Sequence, residues 1–540
     1  MSTEGDKRAS GGHELGAQAS RAPQATAKAF APVAPLAGGQ LAITALALAA
    51  GTFMQVLDST IANVSLPTIS GNLGVSTDQG TWVITAFAVA NGIGVPLTGW
   101  LMGRYGVVRT FCFSVLAFTA ASFLCGVAWS LTSLIFFRVL QGGVSGPMIP
   151  GSQALLISIF PPEKRGTALG IWSITTLVAP ICGPILGGYI SDNYHWGWIF
   201  LINVPVGLLV VMLASANLAA RETPVRKLPI DMVGMGLLIV WAGALQVMLD
   251  KGKNEDWFSS GLIVTLAVVS VIGFGAFVLW EMTEEHPVVD LSLFESRNFT
   301  LGTIVFCLGN GVFIANMLLI PLWLQTQLGY TATWAGLVSA PTGVIAVLVT
   351  PLAARMMARF DARWVATIAF AASAISYWMR AGLTADASFM AIAIPLMVQG
   401  ISSGSFFIAT ISILLDGLPA SRIPAASGLS NFARIIAAGF SVSLVTTFWD
   451  RREAFHQSRM ADMTSAYAPA FNNILSSLHD LGLSELAAKS AVTRGMIGQA
   501  YLLASVDMFT VSAWLCVFAI VIVWLCHKAE PHGPAPVIAD

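Results

Sequence analysis

Two residues stand where most of the chain could do no chemistry: Asp58 and Arg138. Both lie in runs that are otherwise apolar and long enough to cross a bilayer, Leu41–Leu66 and 131–151. A charge at such depth is costly, and it usually marks a route for protons, ions or substrates. If the first run leads outward and the fourth inward, Asp58 is about 8 residues and Arg138 about 7 residues from one boundary. At 1.5 Å per helical residue both sit roughly 10–12 Å deep, so they can meet. Desolvation and a nearby arginine act in opposite directions on a carboxylate's hold on its proton. A group balanced in this way can exchange a proton when water access changes; a static bridge joining two helices is the other reading. The polar neighbours Gln55, Ser59, Thr60 and Asn63 favour a solvated cavity over a dry bridge. Arg434, in SNFARIIAAG, is a third charge at midplane depth. It reads equally as a direct participant or as a partner for helix-end carbonyls or a neighbouring amide.

The elements that position these charges follow from composition. Of the 540 residues 56% are hydrophobic and 10% charged, against about 25% charged in soluble domains. The chain is therefore expected to be an all-α polytopic membrane protein. Runs of the roughly 20 residues a crossing helix needs fall near 41–66, 81–102, 110–129, 131–151, 167–190, 198–217, 231–249, 261–281, 299–325, 333–354, 364–382, 388–414, 424–448 and 506–527, which makes fourteen spans. With the N-terminus inside, the short inner loops and C-terminal end hold Arg104, Arg109, Lys164, Arg165, Arg221, Arg226, Lys227, Arg297, Arg355, Arg359, Arg363, Arg422 and Lys528. The short outer loops hold only Lys251, Lys253 and Arg380. That asymmetry predicts both termini on the cytoplasmic side. Residues 1–40, rich in Ala, Gly, Ser and Pro, read as a disordered cytoplasmic tail without a cleavable signal peptide. Residues 528–540 read as a second tail. Segment 449–505 falls outside, where Leu481–Leu503 has the composition of amphipathic helix.

An internal repeat organises the spans. Pro96–Arg104 (PLTGWLMGR) matches Pro351–Arg359 (PLAARMMAR), and Val139–Gly146 (VLQGGVSG) matches Met397–Gly404 (MVQGISSG), at offsets of 255 and 258 residues. The order predicts a six-helix bundle over 41–217, an inserted pair with linkers over 218–298, and a second six-helix bundle over 299–527. Parallel repeats around a midplane site are a transporter architecture. The repeat places Asn310 opposite Asp58 and Leu396 opposite Arg138, so the intramembrane charges belong to one half. Structural need alone does not predict that asymmetry.

In span 5, Ala179–Ile190 reads APICGPILGGYI. Gly183, Gly187 and Gly188 offer a small face for close helix approach, and Pro184 removes a backbone bond and bends the helix. Tight packing and a hinge or seal between the halves weigh equally. The six cysteines lie in apolar runs and none of the seven histidines does, which argues against disulfides, a metal site or a histidine relay. A net charge of −1 suggests no nucleic-acid partner. No nucleotide-binding, nucleophile-elbow, zinc or redox motif is visible, so no enzyme activity or cofactor is expected beyond the proton as coupling ion.

These segments together resemble the major facilitator superfamily, in its fourteen-helix drug:proton antiporter branch. LDSTIANVSLP (Leu57–Pro67) is similar to that branch's first-helix motif, and GWLMGRYGVVR (Gly99–Arg109) to the superfamily's loop 2–3 motif. RVLQGGVSG (Arg138–Gly146) resembles its helix-4 motif, and APICGPILGG its antiporter motif. WGWIFLINVPVG, DWFSS, PVVDLSLFESRNFTLG and GYTATWAGL resemble EmrB-type multidrug exporters of Gram-negative bacteria, over about residues 40–530. The resemblance implies Asp58 as protonation site, Arg138 as coupling residue and Gly183-Pro184 as part of an antiport hinge. In the loop 2–3 motif (Gly99, Arg104, Gly106, Arg109), Gly103 stands where an acid is usual, and Ala179 replaces the usual opening glycine of the antiporter motif. The resemblance also implies an inner-membrane pump for hydrophobic or amphipathic drugs, working with a periplasmic membrane-fusion adaptor and a TolC-like outer-membrane channel. Substrate contacts are expected from Gln55, Asn63, Trp82, Asn91, Asn310, Phe313 and Arg434. The alternatives are a proton-linked exporter of one metabolite or lipid, and a non-transporting membrane sensor or scaffold.

Overall fold

The computed structural model of the chain describes residues 36–161, 164–225, 229, 231–330, 332–461 and 469–528, without the side chains of a few helical residues, Pro184 among them. The tail expected over 1–40, most of 528–540, and the cations Arg226 and Lys227 therefore lie largely or wholly outside the described residues.

A helix or a broken helix covers each of the fourteen apolar runs. The first bundle holds α1 (Gly38–Leu73), α2 (Thr77–Gly80), α3 (Trp82–Gly94), α4 (Thr98–Tyr105), α5 (Val107–Gly126), α6 (Leu131–Ser145), α7 (Met148–Ile159), α8 (Arg165–Asn193), α9 (Trp198–Leu201) and α10 (Asn203–Leu218). The inserted pair is α11 (Met232–Lys251) and α12 (Gly261–Thr283). The second bundle holds α13 (Arg297–Thr326), α14 (Ala332–Met357), α15 (Ala362–Ala381), α16 (Phe389–Leu415), α17 (Ile423–Ala461), α18 (Pro469–Asp480) and α19 (Glu485–Leu525). Among the described residues ten helical stretches, α9 and α10 counted as one, are long and apolar enough to cross a membrane, or eleven with the pair α3–α4 counted as one span bent by 55°. The sequence reading has fourteen. The remaining runs are covered by the broken pair α6–α7 and by α8 and α15. The bend between α3 and α4 falls at Pro96, which has no N–H to continue the ladder.

The repeated glycines have one geometric cause. A side chain at Gly142 or Gly146 would collide with α3 backbone at Phe87 and Gly94. One at Gly400 or Gly404 would collide with α14 at Thr342, Ile345 and Ala346. The same small ridge lets equivalent helices approach in both halves.

The two bundles meet at the end where the arginines cluster. There Gly99 of α4 lies against Ala425 of α17, Gly166 and Gly170 of α8 against Ala354 and Thr350 of α14, and Trp172 edge-on to Phe407 at 5.8 Å. Across this seam Asn431 donates to Gln153 Oε1 at 3.1 Å. At the far end the inserted pair reaches both bundles. Thr85 of α3 donates to Asp250 at 2.6 Å, Ser443 of α17 donates to the Leu249 carbonyl at 2.9 Å, and Lys253 pairs with Asp450 at 2.8 Å. The stretch 481–503, expected as amphipathic helix, is mostly the start of α19, which runs unbroken into the last span.

Candidate functional site

Asp58 and Arg138 do touch. Arg138 Nη1 donates to Asp58 Oδ2 at 2.5 Å, and both residues are fully buried. Gln141, one turn after Arg138 on α6, donates from Nε2 to Asp58 Oδ1 at 3.1 Å and accepts from Arg138 Nη1 at 2.7 Å. Asn203, the first residue of α10, donates to Asp58 Oδ1 at 2.9 Å and to Ser122 Oγ of α5 at 3.0 Å. The guanidinium also donates from Nε to the Val83 carbonyl of α3 at 3.1 Å and lies 4.1 Å from the Phe87 ring centroid. Five helices thus converge on one carboxylate with three donors. A buried ion pair holds only when further hydrogen bonds satisfy it, and here Gln141, Asn203 and the Val83 carbonyl supply them.

The polar neighbours of Asp58 do not open the solvated cavity expected of them. Ser59 and Thr60 donate to carbonyls of their own helix, at Val56 and Leu57. Such back-bonding is the ordinary fate of a hydroxyl inside a helix. Gln55 is buried and Asn63 is exposed. In this conformation Asp58 and Arg138 form a fully buried bridge.

The other predicted residues scatter. Asn91 is buried with its amide committed to Ser145 Oγ at 2.8 Å, a tie between α3 and α6. Trp82 is 39% exposed, with Lys251 Nζ 5.3 Å from its ring. Phe313 and Arg434 are half-buried, and Arg434 Nε donates to Asn431 Oδ1 at 3.3 Å. Asn310 is buried, with no partner for its Nδ2.

A family model described as Major Facilitator Superfamily matches residues 48–442. The chain belongs to the major facilitator superfamily. It is 47% identical over 500 residues to the Multidrug export protein EmrB of Escherichia coli (strain K12), covering 92% of this chain and 97% of that one. It is 44% identical over 499 residues to the Fatty acid resistance protein FarB of Neisseria gonorrhoeae, covering 92% and 98%. Among solved structures, the superfamily's proton:xylose symporter XylE superposes with a TM-score of 0.59 at 12% identity, over 91% of this chain and 97% of that one. That last likeness concerns the fold alone. As a member of this superfamily the chain is a multi-pass membrane transporter.

The superfamily's loop motif has a partner that the sequence reading missed. Gly103 leaves the motif without its usual acid, but Glu222, after α10, occupies the region. It accepts from the backbone N–H groups of Val108 at 3.0 Å and Arg109 at 2.8 Å, capping α5, and lies 3.9 Å from the Arg109 guanidinium. Gly106 has φ +93° and no room for a side chain against Glu222, so it is fixed twice over. Arg104 stacks by Trp100 and Tyr105. In the antiporter stretch, Gly183 and Gly187 press on Thr60 and Ile61 of α1, within one bundle and one turn from Asp58, while Gly188 faces open space. The contact of α8 with the other half lies at its opposite end, at Gly166 and Gly170. Gln141 was legible in sequence as the i+3 neighbour of Arg138. Asn203 had one signal, a lone amide in an apolar run.

Proposed function

We propose that this chain is a proton-driven exporter of hydrophobic or amphipathic drugs across the bacterial inner membrane, with both termini cytoplasmic. The observation that carries the reading is the buried Asp58 carboxylate, held by Arg138, Gln141 and Asn203 in a bundle whose repeat partner has an amide there. Protonating Asp58 removes the negative charge that Arg138 and the two amides hold, and loosens α1 from α6 and α10. Because α8 packs on α1 beside Asp58 and reaches the other bundle at its far end, a shift of α1 is carried to the seam. Proton and drug favour opposite states, which makes their binding reciprocal and the cycle an antiport. The coupling ion is the proton, with no bound cofactor. The arginine-rich end, where the bundles meet, is the cytoplasmic end by the positive-inside rule.

Relatives named for multidrug export at 47% identity support a broad substrate range. In this reading the pump works with a periplasmic adaptor and a TolC-like outer-membrane channel. Helices α17 and α19, of 39 and 41 residues, extend to about 60 Å, twice the hydrocarbon thickness, and offer a surface on the periplasmic side. The relative named for fatty acid resistance keeps open a second reading, export of one amphipathic metabolite or lipid, and a substrate panel separates the two.

The test is transport in proteoliposomes with an imposed pH gradient. Asp58→Asn should insert normally and lose pH-driven transport, whereas full proton-coupled transport by that variant overturns the reading. A sensor or scaffold would show no drug-dependent proton flux even in the unaltered protein.

A further inference from the structure

The second bundle also buries a guanidinium, in a place the sequence pattern hides. Arg380 is the penultimate residue of α15, at a helix end where arginines usually reach water. Instead it is 2% exposed. Side chains on a helix run back toward its N-terminus, and here that direction leads into the bundle. Arg380 Nη2 donates to Ser376 Oγ at 3.0 Å and to Gln399 Oε1 at 3.1 Å, and its Nε has no partner. The rings of Tyr377 and Phe509 lie 5.1 Å and 5.9 Å away. Among the described residues no carboxylate pairs with it.

Gln399 is the repeat counterpart of Gln141, so each half sets a guanidinium on the same glutamine. In the first half the third member is the Asp58 carboxylate. In the second, Asp58's repeat counterpart Asn310 is a buried amide with an unpartnered Nδ2, and it supplies no charge. Gln399 also donates to the Tyr377 hydroxyl at 3.2 Å. Tyr377 and Gln399, though not Arg380 itself, line a small cavity together with Gly309, Phe313, Ser373 and Ser402. Among the described residues the cluster thus holds a guanidinium and no anion, and a buried cation without a counter-charge is costly.

We propose that the second bundle carries a site for a monovalent anion at Arg380, Gln399 and Tyr377. The anion is either a small inorganic ion or the carboxylate head of an amphipathic substrate; this second source rests on the exporter reading. The anion supplies the charge that Asp58 supplies in the first half.

The experiment measures the melting temperature of the purified full chain against chloride and bromide, with gluconate holding ionic strength constant. In parallel, proteoliposome transport of laurate is compared with that of dodecylammonium. The probe variants are Arg380→Met, which removes the cation, and Gln399→Glu, which places a carboxylate on the guanidinium and keeps the side-chain shape. Should Arg380→Met fail to fold, Gln399→Glu still decides. A saturable rise in melting temperature with halide, lost in Gln399→Glu, establishes the inorganic ion. Indifference to halide with laurate transport lost in Gln399→Glu, and dodecylammonium transport kept, establishes the substrate carboxylate. Indifference of the unaltered protein to both anions overturns the site, as does an unchanged anion response in Gln399→Glu. The melting readout needs no transport, so it can fail or succeed independently of the exporter reading.

Discussion

The two bundles share a frame and differ in one charge. Gln141 and Gln399 occupy matching places, and each receives a guanidinium, from Arg138 at 2.7 Å and from Arg380 at 3.1 Å. The arginines come from different helices, α6 in one half and α15 in the other. Among the described residues only the first half adds a carboxylate. Matching positions of the two halves keep the glycine ridges and the glutamines, while the carboxylate stands on one side. A membrane interior tolerates both clusters for different reasons: the first neutralises its cation with Asp58, and the second leaves it to aromatic faces and neutral oxygens.

The largest test of that difference is to remove each arginine in turn. Arg138→Met leaves Asp58 buried without its counter-ion and should lose about 3–5 kcal/mol of unfolding free energy. Arg380→Met leaves only the neutral Gln399 Oε1 and Ser376 Oγ behind and removes the costly buried cation with it, so it should lose at most about 1–3 kcal/mol. Denaturant unfolding of both variants in one detergent measures the gap, and equal losses would break the contrast between a paired and an unpaired cation.

A smaller effect separates the amides. Asn203→Leu removes one hydrogen-bond donor to the Asp58 carboxylate and should cost about 1.5–3 kcal/mol. It should also change the pH profile of coupled transport, because one fewer donor holds the carboxylate. Asn316→Leu in α13 breaks a neutral bond to Ser512 Oγ of 3.0 Å and should cost about 0.5–1.5 kcal/mol with no change in the pH profile. A shared pH shift would mean that Asn203 acts through packing alone.

Much of this site was legible in sequence, and the reasons for the rest are physical. Hydropathy and period located the helices, and the rise per residue put Asp58 and Arg138 at one depth. Which helices neighbour that depth is a tertiary fact, so Asn203 and the Val83 carbonyl stayed invisible. Arg380 was counted as an outer-loop cation because hydropathy assigns a charge at a span end to water. The side chain's direction along the helix, which hydropathy does not carry, turns it inward. The loop's cations speak only to topology, so they do not point to Glu222, yet the acid caps α5 where Gly103 leaves a gap.

The smallest test lies on the same helix as Arg380. At the start of α15, Arg363 has the counter-ion that Arg380 lacks. Its guanidinium donates to Asp361 Oδ2 at 2.7 Å, and its backbone N–H donates to Asp361 Oδ1 at 3.0 Å. Burial pushes the Asp361 carboxyl up, but the hydrogen bonds and charge of Arg363 outweigh it and hold the group below its ordinary value. A carboxyl so depressed contributes stability that is present above its unfolded value of about 3.9 and vanishes as pH falls through the lower folded value. Asp361→Asn keeps a capping oxygen for α15 and removes only the charge. It should cost about 0.2–1 kcal/mol at neutral pH, as partly exposed pairs do, and nothing once the pH lies below the folded value. Melting curves of both proteins should therefore converge in acid. A gap that persists there would assign the contribution of Asp361 to the cap rather than to the pair, leaving Arg363 as little compensated as Arg380.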